Sequence, residues 1–491
     1  MKKLYRDVLD YVGTTVLLKA VGIVSVLYVG AALVPAEFGY FAVASIVIAF
    51  GATLAEFGAS GLMVRDYGQK GAWVLLNALP LVLLVWAVEC LALLVASAAV
   101  GRSETLRVVA EHPVLLAVSI LTTVGNTLVG AYLVVALEAR VFALSTAVKS
   151  LTQLPVAVVL VSYAPSYTAL LYATLVGGLG FFAVPLVRFR SDLTRGWRGV
   201  RAGRGHAGLV AQARDGAVFL SREALAVVQA QWSRIVLTAC VPVSDLGVYT
   251  FFFTIAGSVG ELGSSVERAY TPRLVRAYQG DAVRTGHLLS SLVPAAVLAL
   301  AAIYVGIVGA GEVGVYQLLL RPEYVARATV LDAMLFIAVT GAIGQIFYYS
   351  YYVGRANTSI RTHALAHLAV SVTLQLALIP TYGLRGAVAA ELIAAGLRLD
   401  SLWLINYRIL IAGTTFRAAV TLLAFVTAVC VLLADLVMAG GGWGLFAGGI
   451  AALAAIYAAL SGRELRRFSL LLHRTEGIAT IATPHVETVR S

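Results

Sequence analysis

Charge is scarce in this chain. Asp, Glu, Lys and Arg make up 12% of its 491 residues, while 60% are hydrophobic. That leaves too little polar surface to cover the several soluble domains expected at this length. The short alternating apolar and polar segments of a membrane β-barrel are also missing, because the apolar stretches are long and rich in Leu, Ala, Val and Gly. Cysteine is rare: Cys90, Cys240 and Cys430 lie far apart and inside apolar stretches. They imply no disulfide framework and no metal motif, and they say nothing about redox compartment.

What is present is a succession of apolar runs of roughly 20 residues, each long enough to cross about 30 Å of hydrocarbon as a helix. They fall near 12–33, 38–60, 73–97, 113–136, 141–163, 166–187, 215–241, 246–268, 287–309, 329–353, 360–381, 384–406, 414–438 and 443–461. The expected fold is therefore an all-α polytopic membrane protein of about fourteen transmembrane helices. The first run follows Met1-Lys2-Lys3 as a signal peptide would, but it is too long for an h-region, carries Lys19 and leads at once into a second span.

Most of the 36 basic residues fall in alternate loops and both tails when the N-terminus is placed in the cytoplasm. Outer loops receive only Arg102, Arg107, Arg321, Arg327 and Arg385. This asymmetry predicts an even number of spans with both termini cytoplasmic, in the cell membrane. It also accounts for the net charge of +11 without nucleic acid. The basic run from Arg188 to Arg204 lies between spans, where membrane-surface electrostatics explains it better than RNA binding.

An internal repeat organises the spans. Val34-Pro35-Ala36-Glu37-Phe38-Gly39-Tyr40 joins spans 1 and 2, and Val241-Pro242-Val243-Ser244-Asp245-Leu246-Gly247-Val248-Tyr249 joins spans 7 and 8. Leu54-Ala55-Glu56-Phe57-Gly58-Ala59-Ser60 is echoed by Val259-Gly260-Glu261-Leu262-Gly263-Ser264-Ser265 at nearly the same offset. One such motif would be an ordinary interhelical loop, but two at one spacing indicate a duplicated unit. Six spans separate the copies, so both have the same orientation and two parallel lobes are expected. The division is residues 1–200 for the N-lobe (spans 1–6), 201–411 for the C-lobe (spans 7–12), 412–461 for spans 13 and 14, and 462–491 for a cytoplasmic tail. The Gly-containing basic stretch from Arg188 to about Arg214 reads as the linker between lobes. Arg463 to Arg474 reads as a short interfacial helix.

Ionisable residues inside spans should face a wet cavity or a partner. Lys19 shares a helical face with Thr15 and Gly22 on span 1. Lys149 on span 5 sits in a stripe with Ser145, Thr146, Thr152 and Gln153. Span 4 places Ser119, Thr122, Thr123 and Asn126 on one face. Span 7 carries Arg222, Glu223, Gln229, Gln231, Ser233 and Arg234, and span 11 has His363, His367, Ser371 and Gln375 at successive i+4 steps. Depth counting puts Lys19, Lys149 and Arg222 in the cytoplasmic half and Arg234 toward the outside. A phosphate or pyrophosphate could be held by the first group and passed outward past Arg234, with Gln153 and Asn126 as further binding candidates. The structural alternative pairs each cation with a buried carboxylate among Glu89, Glu223, Glu261, Glu391 and Asp400, as Glu391 and Arg398 could do at i,i+7. Glu89 and Glu223 are the candidates for a coupling ion. The histidine pair has the spacing of two metal ligands but no third ligand nearby, so a polar lining is favoured over metal. Tyr348, Tyr349, Tyr351 and Tyr352 read as an interfacial aromatic belt rather than a sugar-stacking site.

The loop Val34-Pro35-Ala36-Glu37-Phe38-Gly39-Tyr40-Phe41, the segment Trp232-Ser233-Arg234-Ile235-Val236, Pro272-Arg273-Leu274 and the run from Ile379-Pro380 to Gly386-Ala387 resemble polysaccharide-biosynthesis flippases. These belong to the multidrug/oligosaccharidyl-lipid/polysaccharide exporter superfamily, and the resemblance covers about residues 8–410. It implies alternating access between two six-helix lobes, a polyprenyl-phosphate or polyprenyl-pyrophosphate saccharide as cargo, no cofactor, and glycan-assembly enzymes and membrane lipids as partners. It also implies that Lys19 and Arg234 bind the anionic head and that spans 13 and 14 accompany a groove for the lipid tail. Members often carry Asp immediately before the arginine, where this chain has Ser233. A cation-coupled multidrug exporter of the same superfamily is the alternative, which the buried carboxylates suit and the deep lysines oppose. A membrane glycosyltransferase or polymerase is disfavoured, because the longest outer loop, about 310–328, offers only Glu312 and Glu323 and no D-x-D occurs.

Overall fold

The computed structural model describes residues 22–63, 73–99, 106–136, 138–189, 209–278, 304, 306–309, 311, 314–353 and 357–410, with side chains for most of these. Lys19, most of the ninth span, spans 13 and 14, the tail and most of the linker lie outside the described residues. So do the side chains of Arg222, His363, Arg398 and the four span-10 tyrosines.

Every described element is a helix, as the apolar runs require: a helix satisfies its own backbone groups, and lipid offers them no partner. In chain order these are α1 (Gly22–Ala32), α2 (Pro35–Glu56), α3 (Trp73–Ala99), α4 (Arg107–Glu111), α5 (Pro113–Val135), α6 (Ala139–Tyr163), α7 (Tyr167–Arg188), α8 (Leu209–Cys240), α9 (Val243–Tyr278), α10 (Val315–Leu319), α11 (Pro322–Val325), α12 (Ala328–Val353) and α13 (Asn357–Leu410). Proline opens α2, α5 and α11, where its missing N–H goes unneeded and its fixed φ suits the first turn. α2 ends where Phe57 adopts φ 49° and Gly58 φ 70°. α13 holds two predicted spans, separated by non-helical Gly383 (φ 56°, ψ −130°) just beyond Pro380.

Seven described helices are long and apolar enough to cross a membrane. Their burial fits a bundle in lipid. In the most apolar span, Ala78–Ala99, 11% of the most hydrophobic 18-residue stretch is buried, whereas in Val243–Glu261, the least apolar, 56% of that stretch is buried. An aqueous protein shows the reverse trend. Leu83, Leu84, Val88, Leu91, Leu94 and Val95 stand exposed on α3, the surface hydrocarbon would cover. Two helices exceed their apolar runs. α8 begins at Leu209, and α9 continues to Tyr278. The linker is thus shorter than the sequence suggests, because an apolar window stops at the charges of Arg214 and Asp215 while the helix continues through them.

Contacts divide the chain into two compact units. The first takes the described residues up to Ser258 with Gly309–Met334 and Ala364–Ala394. Its core clusters gather Ala52, Ala55, Val82, Ile120, Val124, Leu128 and Phe181 in one group, and Tyr40, Ala44, Val108, Leu116 and Leu171 in another. The Trp86 indole fastens α3 to α5 by donating to the Ala117 carbonyl at 2.8 Å. The second unit takes the described residues of Val259–Val308, Leu335–His363 and the stretch from Ala395. There Tyr304 packs edge-on to Phe336 at 6.2 Å.

Candidate functional site

Within the first unit, α2, α5, α6 and α7 enclose a pocket of about 300 Å³, near the lower limit of small-molecule sites. It can hold a headgroup or a single sugar ring, and it is too small for a whole lipid-linked saccharide. Ser119, Thr122, Thr123, Asn126 and Thr127 line it from α5, Thr146 and Lys149 from α6, and Thr174 and Gly178 from α7. Ile48, Phe142, Leu175 and Phe181 complete the wall. Gly178 lets α7 come close, since a Cβ there would lie 2.6 Å from Thr122 Cγ2 and 3.1 Å from Asn126 Nδ2.

The hydroxyls have a common geometry. Thr122, Thr123, Thr146 and Thr174 each donate one turn back, to the carbonyls of Val118, Ser119, Phe142 and Leu170, at 2.8–2.9 Å. Their protons are engaged and their lone pairs remain to face the pocket. Asn126 Oδ1 and the Ser119 hydroxyl are buried without a hydrogen-bond partner among the described residues. Unsatisfied buried polar atoms in a cavity mark a place for water or ligand. Lys149 is the one cation among the lining residues. Its ammonium offers three donors in a wall otherwise composed of neutral oxygens, amide and apolar groups.

The other predicted residues lie elsewhere. Gln153 turns from the pocket toward α7, with its amide 3.5 Å from Thr174 Oγ1. Glu89 has both carboxylate oxygens shielded and without a hydrogen-bond partner among the described residues. Glu223 accepts from the Ser60 hydroxyl at 2.9 Å, and Glu56 accepts from the Ser60 amide at 3.2 Å. These contacts join the end of α2 to α8. Arg234 is buried, with its guanidinium 4.2 Å from the centre of the Phe253 ring and Nη1 donating to Gln231 Oε1 at 3.2 Å.

A second polar cluster joins α8 to α13. Glu391 accepts from the Ser233 hydroxyl and from Gln375 Nε2, the latter at 2.9 Å, and Gln375 also donates to Ser371 at 3.1 Å. Gln229 contacts His367 Nδ1 at 3.1 Å, while His367 Nε2 faces the Ala394 carbonyl at 3.2 Å. The i+4 stripe on span 11 therefore meets span 7. No group of three metal-ligating side chains occurs among the described residues. Two features escaped the sequence reading: the serine-bridged Glu56 and Glu223, and the meeting of Ser233 with Glu391. Nothing in the local spacing signals either, because each joins positions more than 150 residues apart.

No family model matches the sequence, and no curated protein matches it. Similarity appears in the fold. A structure of lipid II flippase MurJ in an inward closed conformation aligns over 94% of this chain and 99% of its own length, at 12% identity and a TM-score of 0.59. The MATE multidrug transporter DinF-BH covers 84% of this chain and 97% of its own, at 13% identity and a TM-score of 0.55. The Vibrio cholerae MATE transporter VcmN covers 84% and 98%, at 14% identity and a TM-score of 0.50. At these identities the likeness is one of fold alone. The chain therefore shares the all-helical fold seen in the MurJ and DinF-BH structures.

Proposed function

We propose that the protein translocates a polyprenyl-phosphate- or polyprenyl-pyrophosphate-linked saccharide across the cytoplasmic membrane by alternating access, with both termini in the cytoplasm. The observation that carries this reading is Lys149 in a hydroxyl-lined pocket within the membrane bundle, beside buried oxygens that lack partners. A cation held in a low-dielectric site attracts an anionic head strongly, and the surrounding lone pairs suit sugar hydroxyls as donors. A cationic cargo would meet repulsion there. Lys19 and Arg222 on the cytoplasmic side and Arg234 toward the outside would extend the anion path. Asn126 is a pocket ligand for the head, and Gln153 positions α6 against α7. Enzymes that assemble the glycan would supply the cargo.

The second reading, a cation-coupled multidrug exporter, draws support from Glu89, whose shielded carboxylate oxygens have no hydrogen-bond partner among the described residues, with Glu223 as the other candidate. The test uses proteoliposomes containing a fluorescent polyprenyl-pyrophosphate saccharide or, separately, a lipophilic cationic dye. Movement of the saccharide lipid without dye efflux supports the first reading, and dye efflux without lipid movement overturns it.

A further inference from the structure

The duplicated loops noted in the sequence meet in the fold, and they meet reciprocally. Gly39, in the second turn of α2, faces the first residue of α9: a Cβ on Gly39 would lie 2.9 Å from the Val243 carbonyl carbon and overlap its oxygen. Gly247, in the second turn of α9, faces the first residue of α2. A Cβ on Gly247 would lie 2.6 Å from the Pro35 carbonyl carbon, overlap its oxygen, and approach Gly39 N within 2.8 Å. The sequence offset that carries Gly39 to Gly247 also carries Pro35 to Val243. Each copy thus uses the same glycine to admit the same backbone position of the other, the pattern of an isologous contact about a two-fold axis. Only a residue without Cβ permits backbones this close.

The contact is sealed and strapped. On one flank, Phe38, Phe251 and Tyr324 form a buried aromatic group, with ring centres 5.2 Å apart for Phe38 and Phe251 and 4.5 Å for Phe251 and Tyr324. Tyr324 belongs to α11, in the short segment Val315–Val325 that crosses this end of the bundle. The arginines around α11 hold the segment down. Arg321 donates through Nε to the Ala31 carbonyl at 3.1 Å and through Nη2 to the Ala32 carbonyl at 3.0 Å. These carbonyls end α1, where helical acceptors lack partners and the dipole favours a cation. Arg327 pairs with Asp245 in the first turn of α9. One segment therefore grips the end of α1 and the start of α9 across the glycine contact.

We propose that the Gly39–Val243 and Gly247–Pro35 contacts form the outer seal of the transport path, a self-complementary joint that Arg321 and Arg327 latch shut. This rests on the alternating-access reading above. Opening outward separates the two glycine-admitting surfaces and releases both arginines, and closure restores all four contacts together. The duplication makes the joint symmetric, while the latch sets how readily it opens.

The test places a single cysteine at Thr254, one turn inward of Phe251, in the full chain with Cys90, Cys240 and Cys430 replaced by serine. Reaction with a membrane-impermeant maleimide is followed from the outer side of vesicles. In the starting protein labelling should be slow. Arg321→Gln with Arg327→Gln should speed it about tenfold or more, as should Gly39→Ala or Gly247→Ala. The double glycine variant should label no faster than the quicker single variant, because both wedges enter one joint. If an alanine variant fails to fold, the arginine variants still decide the matter, since both side chains sit at the rim. Unchanged labelling in the folded arginine variants overturns the seal. Labelling that responds as described, in a protein that moves no saccharide lipid, keeps the seal and removes the transport reading. Saccharide transport with unresponsive labelling does the opposite.

Discussion

Replacing Lys149 by glutamine keeps much of the side chain's length and polarity and removes its charge. Among the described residues the lining of the pocket contains no second cation, so no other lining side chain can take over an anionic head. A hydrogen bond to a charged group contributes about 1.5–3 kcal/mol net. At about 1.4 kcal/mol per factor of ten, Lys149→Gln should weaken binding of a polyprenyl pyrophosphate by roughly 10- to 100-fold. Lys149→Arg retains the charge on a bulkier planar head in a cavity of about 300 Å³, and should lose less. The assay is calorimetric titration of the purified protein in detergent. Arg188→Gln is the control: Arg188 is exposed and paired with Glu138 at 3.5 Å, and should change affinity less than about twofold, as surface ion pairs contribute little. The argument fails if folded Lys149→Gln binds the pyrophosphate as tightly as the original chain.

Three further outcomes follow from separate parts of the molecule. Lys19→Ala should abolish transport at normal membrane abundance, measured by flux in vesicles, and undiminished flux would remove Lys19 from the anion path. Ser233→Ala deprives half-buried Glu391 of one of its donors and should cost about 0.5–1.5 kcal/mol of stability, read as a lowered midpoint of thermal unfolding; an unchanged midpoint would show that Glu391 does not depend on it. Outside the spans, donation from Arg107 at 2.6 Å, followed by the Tyr167 hydroxyl at 3.0 Å, holds the Glu111 carboxyl below its ordinary range. A lowered folded-state value means stability that is present above the unfolded carboxylate's range and lost as pH falls through the folded one. Acidification should therefore lower the melting temperature more in the original chain than in Glu111→Gln, and parallel curves would refute this.

The sequence conveyed most clearly whatever is local or periodic. Long apolar runs give helices because lipid leaves the backbone no alternative. The stripes Ser119-Thr122-Thr123-Asn126 and Thr146-Lys149 converge on one pocket because helical spacing puts each set on one face. Gln153 shares a stripe with Lys149 yet turns toward Thr174, since the close approach of α7 captures it, and that approach depends on Gly177 and Gly180 of another helix. The i,i+7 spacing of Glu391 and Arg398 suggests a local pair, but the Arg398 side chain lies outside the described residues, and the contacts the sequence does not signal are those of Glu391 with Ser233 from α8 and Gln375 of α13. Long-range partners leave no periodic trace. The glycine joint lies between these cases: the duplication is visible as a repeat, but that the two copies touch each other is a fact of the fold.

The central claim is that the pocket selects an anionic lipid head. It is tested most directly by comparing, in one vesicle preparation, the flux of a polyprenyl-pyrophosphate saccharide with that of the same saccharide on an uncharged polyprenyl ether. The account predicts that the charged lipid crosses at least about ten times faster, the factor that about 1.4 kcal/mol of selective stabilisation gives, and that Lys149→Gln erases the difference. Equal rates for the two lipids in the original protein would contradict it.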